Sequence, residues 1–80
     1  MITVRFYGPY RDVVGADFIE MKAAGLKTVA DVVQAVAQRY PKLGPHLASA
    51  NLALNHMSAD PQSPIKSGDV LALLPFVAGG

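Results

Sequence analysis

The chain has no cysteine, no appreciable excess of charge of either sign and no long apolar run. Each shortage removes a class of protein. Without cysteine there is no disulfide framework and no thiolate metal site, so 80 residues, close to the lower limit for independent folding, must be held by hydrophobic packing. The missing thiols also fit a reducing compartment. Seven Lys/Arg against six Asp/Glu leave a formal net charge of +1, which gives no basic field for a phosphate backbone and excludes nucleic acid as the expected partner. No stretch reaches the roughly 20 apolar residues of a bilayer span, and the N-terminus opens on a strand-like alternation rather than a basic segment followed by an apolar one. Neither a membrane nor a secretory reading is expected, and the cytoplasm is the location that remains.

Catalytic raw material is equally scarce. His46 and His56 are the only histidines; they lack a paired ligand spacing and are expected in water-facing loops or turns. Ser49, Ser58, Ser63 and Ser67 lie in no nucleophile-elbow sequence. Gly8, Gly15, Gly25, Gly44 and Gly68 stand singly, as turn glycines do, and form no phosphate-binding loop. Asp12, Asp17, Glu20, Asp31, Asp60 and Asp69 are dispersed, and most are expected to be solvated or capping groups. No catalytic residue, metal site or bound cofactor is expected on this chain.

What is abundant is apolar residue, 51% of the sequence, in patterns that specify elements. Ile2, Val4 and Phe6 alternate with Thr3, Arg5 and Tyr7, which predicts a half-buried first strand. Gly8-Pro9 ends it, and Pro9 to Gly15 suits a helical turn with proline at the start and glycine at the end. Asp17 to Lys22 predicts a second strand, hairpin-paired with the first. Thr28 with Asp31 resembles a capping box, and Val29, Val32, Val33, Val36, Ala37 and Tyr40 recur at helical spacing until Pro41. So β-branched a helix is weakly formed by local preference and must be held by packing on a sheet.

Residues 41–50 read as a connection with a short turn around His46 to Ala50, and Leu52 to Asn55 as a third strand turning at Asn55-His56 into a short fourth around Met57-Ser58. Ile65 is expected to plug the core, Ser67-Gly68-Asp69 to turn, and Val70 to Leu74 to be the most buried strand. The order predicts one α+β domain, residues 1–80, with the helix across one face of a mixed sheet. With Leu71 and Leu73 inward, Val70, Ala72 and Leu74 line the opposite face beside Tyr7, a candidate docking patch.

The chain then ends Pro75-Phe76-Val77-Ala78-Gly79-Gly80, residues that shrink toward a terminal carboxylate. Six residues reach about 20 Å when extended, and a pair of glycines can enter a channel too narrow for other residues. Residues 75–80 are expected to form a flexible tail serving a neighbour's active site.

Together, Val4-Arg5-Phe6-Tyr7-Gly8 with Arg11-Asp12-Val13-Val14-Gly15, Leu52-Ala53-Leu54-Asn55, Ser67-Gly68-Asp69-Val70 and the final Leu73-Leu74-Pro75-Phe76-Val77-Ala78-Gly79-Gly80 resemble the small subunit of molybdopterin synthase. This is the MoaD type within the MoaD/ThiS family of ubiquitin-like sulfur carriers. The resemblance spans essentially the whole chain, with Phe76 where the family commonly shows a second proline. It implies a β-grasp fold of four to five strands and a non-catalytic carrier role in molybdenum cofactor biosynthesis. An E1-like partner would use ATP to adenylate Gly80, a sulfur donor would convert it to a thiocarboxylate, and the large subunit of the synthase, in a heterotetramer, would receive the tail and hold the catalytic groups. The resemblance also puts Arg11 at the edge of the docking patch formed with Tyr7 and Leu74. Two other uses of the same tail stay open: a carrier for thiazole or cysteine synthesis, and a ubiquitin-like modifier joined to a lysine.

Overall fold

The first and last strands lie side by side at the centre of one sheet. In the computed structural model, which describes residues 1–75, β1 (Ile2–Phe6) is followed by α1 (Pro9–Val14), β2 (Phe18–Met21), α2 (Val29–Arg39), a 3-10 turn (Pro41–Leu43), α3 (Gly44–Leu47), β3 (Asn51–Leu54), β4 (Met57–Ser58) and β5 (Val70–Leu74). The strand order is β2-β1-β5-β3-β4. β1 and β5 are parallel and the other neighbours antiparallel, so the predicted mixed sheet with a hairpin at its start is the one observed.

The period-two reading of β1 holds. Ile2, Val4 and Phe6 are buried on the helix side, in one cluster with Leu71 and Leu73 of β5 and with Val29, Val32 and Val36 of α2. Each of those valines is fully inaccessible, and burying such a side chain is worth about 1.5–3 kcal/mol. That compensates for the low helix propensity of a valine-rich segment. The other faces of β5, at Val70, Ala72 and Leu74, are only half-buried.

The start of α2 shows why local chemistry and tertiary structure agree there. Thr28 Oγ1 accepts from Asp31 N at 3.4 Å, and Asp31 Oδ2 accepts from Thr28 N at 3.1 Å and Lys27 N at 2.9 Å. The predicted capping box is present. Two further amides of the first turn, which a helix cannot satisfy itself, donate to the following loop: Val29 N to Ser63 O at 2.9 Å and Ala30 N to Pro61 O at 2.7 Å. Ile65, 6% exposed, plugs the core at the end of that loop.

Two sequence expectations need correction. Residues 41–50 are more than a connection: the 3-10 turn and α3 place Leu43 and Leu47 in the core, and His46 falls within α3. Their proline and glycine content concealed two core anchors. Asp69 is also no solvated carboxylate. It is 5% exposed and accepts from Asn55 Nδ2 at 3.0 Å, Lys66 N at 2.9 Å and Lys66 Nζ at 3.1 Å. Asn55 in turn takes Val70 N on its Oδ1 at 2.9 Å. Asn55 and His56, with φ of 51° and 72°, form the two-residue turn of the β3–β4 hairpin, so the Asn55–Asp69 pair ties that turn to the start of β5.

Because Leu43 is fully buried, Leu43→Ala is expected to cost about 2–5 kcal/mol in urea denaturation. A loss below about 1 kcal/mol would mean that the connection does not belong to the core.

The side-chain amide of Asn55 and the backbone of Lys66 hold the Asp69 carboxyl below its usual range, and the amides of Lys27 and Thr28 do the same for Asp31. A depressed folded pKa gives stability that is complete above the unfolded value and disappears as pH falls through the folded one. Urea midpoints are therefore expected to decline below about pH 4, and Asp69→Asn to flatten that acid limb. Superimposable acid limbs in the two proteins would refute the role given to Asp69.

Candidate functional site

Alternation along the central strands builds the sheet face that the helices leave uncovered. Arg5 of β1 lies opposite Phe18 of β2 and Ala72 of β5, and Ala72 lies opposite Ala53 of β3. With Tyr7, His56, Val70 and Leu74 these residues, Phe18 excepted, surround a shallow groove of about 210 Å³. Tyr7 is 38% exposed and Phe18 50%. The Arg5 guanidinium carbon sits 5.9 Å from the centre of the Tyr7 ring, within cation–π range.

Tyr7 and Leu74, the two docking residues expected from alternation, thus share one groove. Arg11 does not line it. From within α1 its guanidinium pairs with Asp17 Oδ1 at 3.4 Å on the turn that follows, between exposed side chains, a surface contact of small energetic weight. The cation in the groove is Arg5, which the sequence reading assigned to the outer face of β1 without giving it a role. Simple alternation was the signal for it. His56 could not be found that way, because the hairpin turn rather than a strand carries it to the rim.

The start of the tail is gripped by the body. Pro75, grouped with the tail in sequence, is half-buried and accepts a hydrogen bond on its carbonyl from Asn51 Nδ2 at 3.5 Å. Its ring lies against Gly8, where an added Cβ would come within 3.1 Å of Pro75 Cγ and where φ is +57°. Glycine is therefore needed at position 8 on two grounds. Pro9, Tyr10 and Val13 of α1 border the same depression, and Tyr10, buried enough to push its hydroxyl pKa up, donates to the carbonyl of His46 at 3.3 Å. Phe76, Val77, Ala78, Gly79 and Gly80, the rest of the expected tail, lie outside the described residues.

A reaction centre is missing among the described residues. The larger cleft, about 480 Å³ between α2, α3 and residues 58–61, carries one carboxylate, Asp60, and its Oδ1 already accepts from Gln62 N at 2.8 Å. Ser49 Oγ donates to the backbone carbonyl of His46 and pairs with no imidazole. No three His, Asp or Glu side chains of this part converge as a metal would need. What the described residues offer is an uncovered face and, beside it, the point at which the chain leaves the sheet.

A five-stranded mixed sheet grasping one main helix, with its last strand at the centre, defines a ubiquitin-like domain. The ThiS family profile matches residues 4–80, and the chain belongs to that family of small, generally non-catalytic sulfur carriers. Comparison with curated proteins by sequence finds no match. Among solved structures, a chain in the complex of subunits 1 and 2 of molybdopterin-converting factor from Helicobacter pylori is 32% identical, with a TM-score of 0.65 over 99% of this chain and 97% of that one. A chain of the BexX/CysO complex of Amycolatopsis orientalis is 25% identical, with a TM-score of 0.82 and 100% of both chains covered. Small archaeal modifier protein 1 from H. volcanii shares the fold at a TM-score of 0.86, with 23% identity over 95% and 97% of the two chains.

Gly8→Ala is expected to cost about 1–3 kcal/mol through its positive φ and the collision with Pro75, which for a domain of this size lowers Tm by roughly 4–8 °C per kcal/mol. Unchanged melting would show that the grip on Pro75 carries no energy.

Proposed function

We propose that this chain is the small subunit of a molybdopterin synthase and delivers sulfur from Gly80. The observation that carries this reading is the 32% identity, over 99% of the chain, to a protein found in a complex of the two molybdopterin-converting subunits. The uncovered face with Tyr7 and Leu74, adjoining the strand that leads into the tail, supports docking onto such a second subunit.

A carboxylate is a poor electrophile at neutral pH, so activation comes first. A carboxylate oxygen of Gly80 attacks the α-phosphorus of ATP on an E1-like partner, and pyrophosphate leaves. Sulfide supplied by a donor then attacks the acyl carbon and AMP departs, leaving a thiocarboxylate. Carried into the large subunit, that sulfur attacks the pyranopterin precursor and displaces an oxygen substituent, water then cleaves the acyl–sulfur bond and returns Gly80 as a carboxylate, and two such deliveries complete the dithiolene. Attachment to the carrier turns a bimolecular encounter with free sulfide into a positioned, effectively intramolecular one. Catalytic groups and ATP belong to the partners, the assembly is a heterotetramer on a dimer of large subunits, and the reaction runs in the cytoplasm.

Two other fates of the same tail are weighed against this. Full-length similarity to a chain of the BexX/CysO complex supports a carrier of the same family serving a different partner, for which thiazole or cysteine synthesis stays open, and the fold shared with an archaeal modifier protein keeps open attachment to a lysine.

Incubation with an E1-like adenylating enzyme, ATP and a sulfur donor is expected to replace one oxygen of Gly80 by sulfur in the intact mass. The product, mixed with a large subunit and the pterin precursor, is expected to yield the dithiolene. Gly80→Val is expected to slow activation about 100-fold while leaving the circular dichroism spectrum unchanged. Lysine-linked conjugates without a thiocarboxylate would establish the modifier reading, and turnover on a thiazole-forming system alone would move the chain to that pathway.

A further inference from the structure

The groove on the uncovered sheet face has a charge pattern that the apolar docking residues do not explain. Its lining is apolar or small at Val70, Ala72 and Ala53, its one charged side chain is Arg5, and no carboxylate lines it. Arg5 has no ion-pair partner among the described residues, where the pairs formed are Arg11–Asp17 and Lys66–Asp69. The acidic residue of the same face, Glu20, is placed by strand register opposite Thr3, one row away from Arg5, and does not line the groove. Arg5 is instead held over the Tyr7 ring. A guanidinium held near a ring without an ion-pair partner keeps its fork of donors available to a planar acceptor.

Volume restricts the occupant. At about 210 Å³ the groove falls below the roughly 300–1,000 Å³ of a small-molecule pocket, which suits a protein side chain better than a cofactor. We propose that the protein docking on this face inserts one apolar side chain between Tyr7 and Leu74 and, beside it, presents an Asp or Glu carboxylate that Arg5 binds through its guanidinium edge. The inference rests on reading this face as the docking surface for the large subunit. It adds the chemistry of the partner's segment: apolar anchor and carboxylate together. A purely apolar partner would leave the Arg5 charge desolvated and unpaired, whereas a basic one would meet like charge, so the groove selects against both.

The test is binding of the molybdopterin synthase large subunit to the full chain, measured by calorimetry at about 50 mM and about 500 mM salt. Four variants are compared with the wild-type chain: Arg5→Lys, Arg5→Gln, Arg5→Glu and Leu74→Glu, each checked for an unchanged circular dichroism spectrum. Affinity is expected to fall about tenfold for Arg5→Gln, further for Arg5→Glu and least for Arg5→Lys, with the wild-type salt dependence flattened in Arg5→Gln. If Leu74→Glu abolishes binding while all three Arg5 variants bind like wild type at both salt concentrations, the docking face stands and the carboxylate is refuted. If Leu74→Glu binds normally, or the wild-type chain does not bind at all, the docking reading fails and the carboxylate proposal falls with it.

Discussion

Parallel pairing of the first strand with the last is the constraint on which the rest of this molecule depends. β1 and β5 occupy the sheet centre, with Thr3 opposite Val70 and Phe6 opposite Leu73, and a parallel pair requires everything between them to cross from one end of the sheet to the other. α2 forms the main part of that crossing and covers the inner faces of both strands. The same pairing puts the end of β1 next to the end of β5. For that reason Gly8 meets Pro75, and Tyr7 and Leu74 flank one groove. The candidate site is a consequence of the central pairing and involves no separate structural device.

The pairing needs its register defended, because a one-residue slip in β5 would turn Leu71 and Leu73 outward and bring Val70 and Ala72 in. The Asn55–Asp69 pair supplies that defence. Asp69 immediately precedes β5, and its carboxylate is held by the hairpin turn on one side and by Lys66 on the other, while Asn55 N donates to Val70 O at 2.9 Å. A nearly inaccessible carboxylate without partners would be costly, and these donors remove the penalty. At the same end of the central pair, the amine of Met1 donates to Ser67 Oγ at 2.8 Å and its carbonyl accepts from Gly68 N at 2.8 Å, so the turn before β5 is tied to both central strands.

Much of this was legible in the sequence, and the failures have physical causes. The alternation of Ile2 to Tyr7, the capping box at Thr28 and the valine stripe of α2 are local signals whose periodicity matches the structure they form. The hairpin at Asn55-His56 was readable because two successive positive φ values favour asparagine there. Leu43 and Leu47 escaped notice because they sit among proline and glycine in a segment with no period long enough to register. The buried role of Asp69 escaped because it depends on Asn55, 14 residues away, brought near only by sheet formation. The groove was half legible: Tyr7 and Leu74 followed from alternation, whereas the approach of Arg5 to Tyr7 and of His56 to the rim required the assembled sheet.

How the sheet is finished also favours its face over its edges for the docking proposed above. One edge strand, β4, has two residues, too few to template a partner strand. The other, β2, has four, with Glu20 within it and Asp17 and Lys22 at its ends, charges that discourage edge pairing. Strand addition by a partner is therefore poorly supported at either side. The uncovered face instead combines partly exposed aromatic and aliphatic side chains with a cation, and its groove borders the strand from which the chain departs. A partner seated there, as proposed, would lie beside Pro75, the point at which the described chain leaves the sheet.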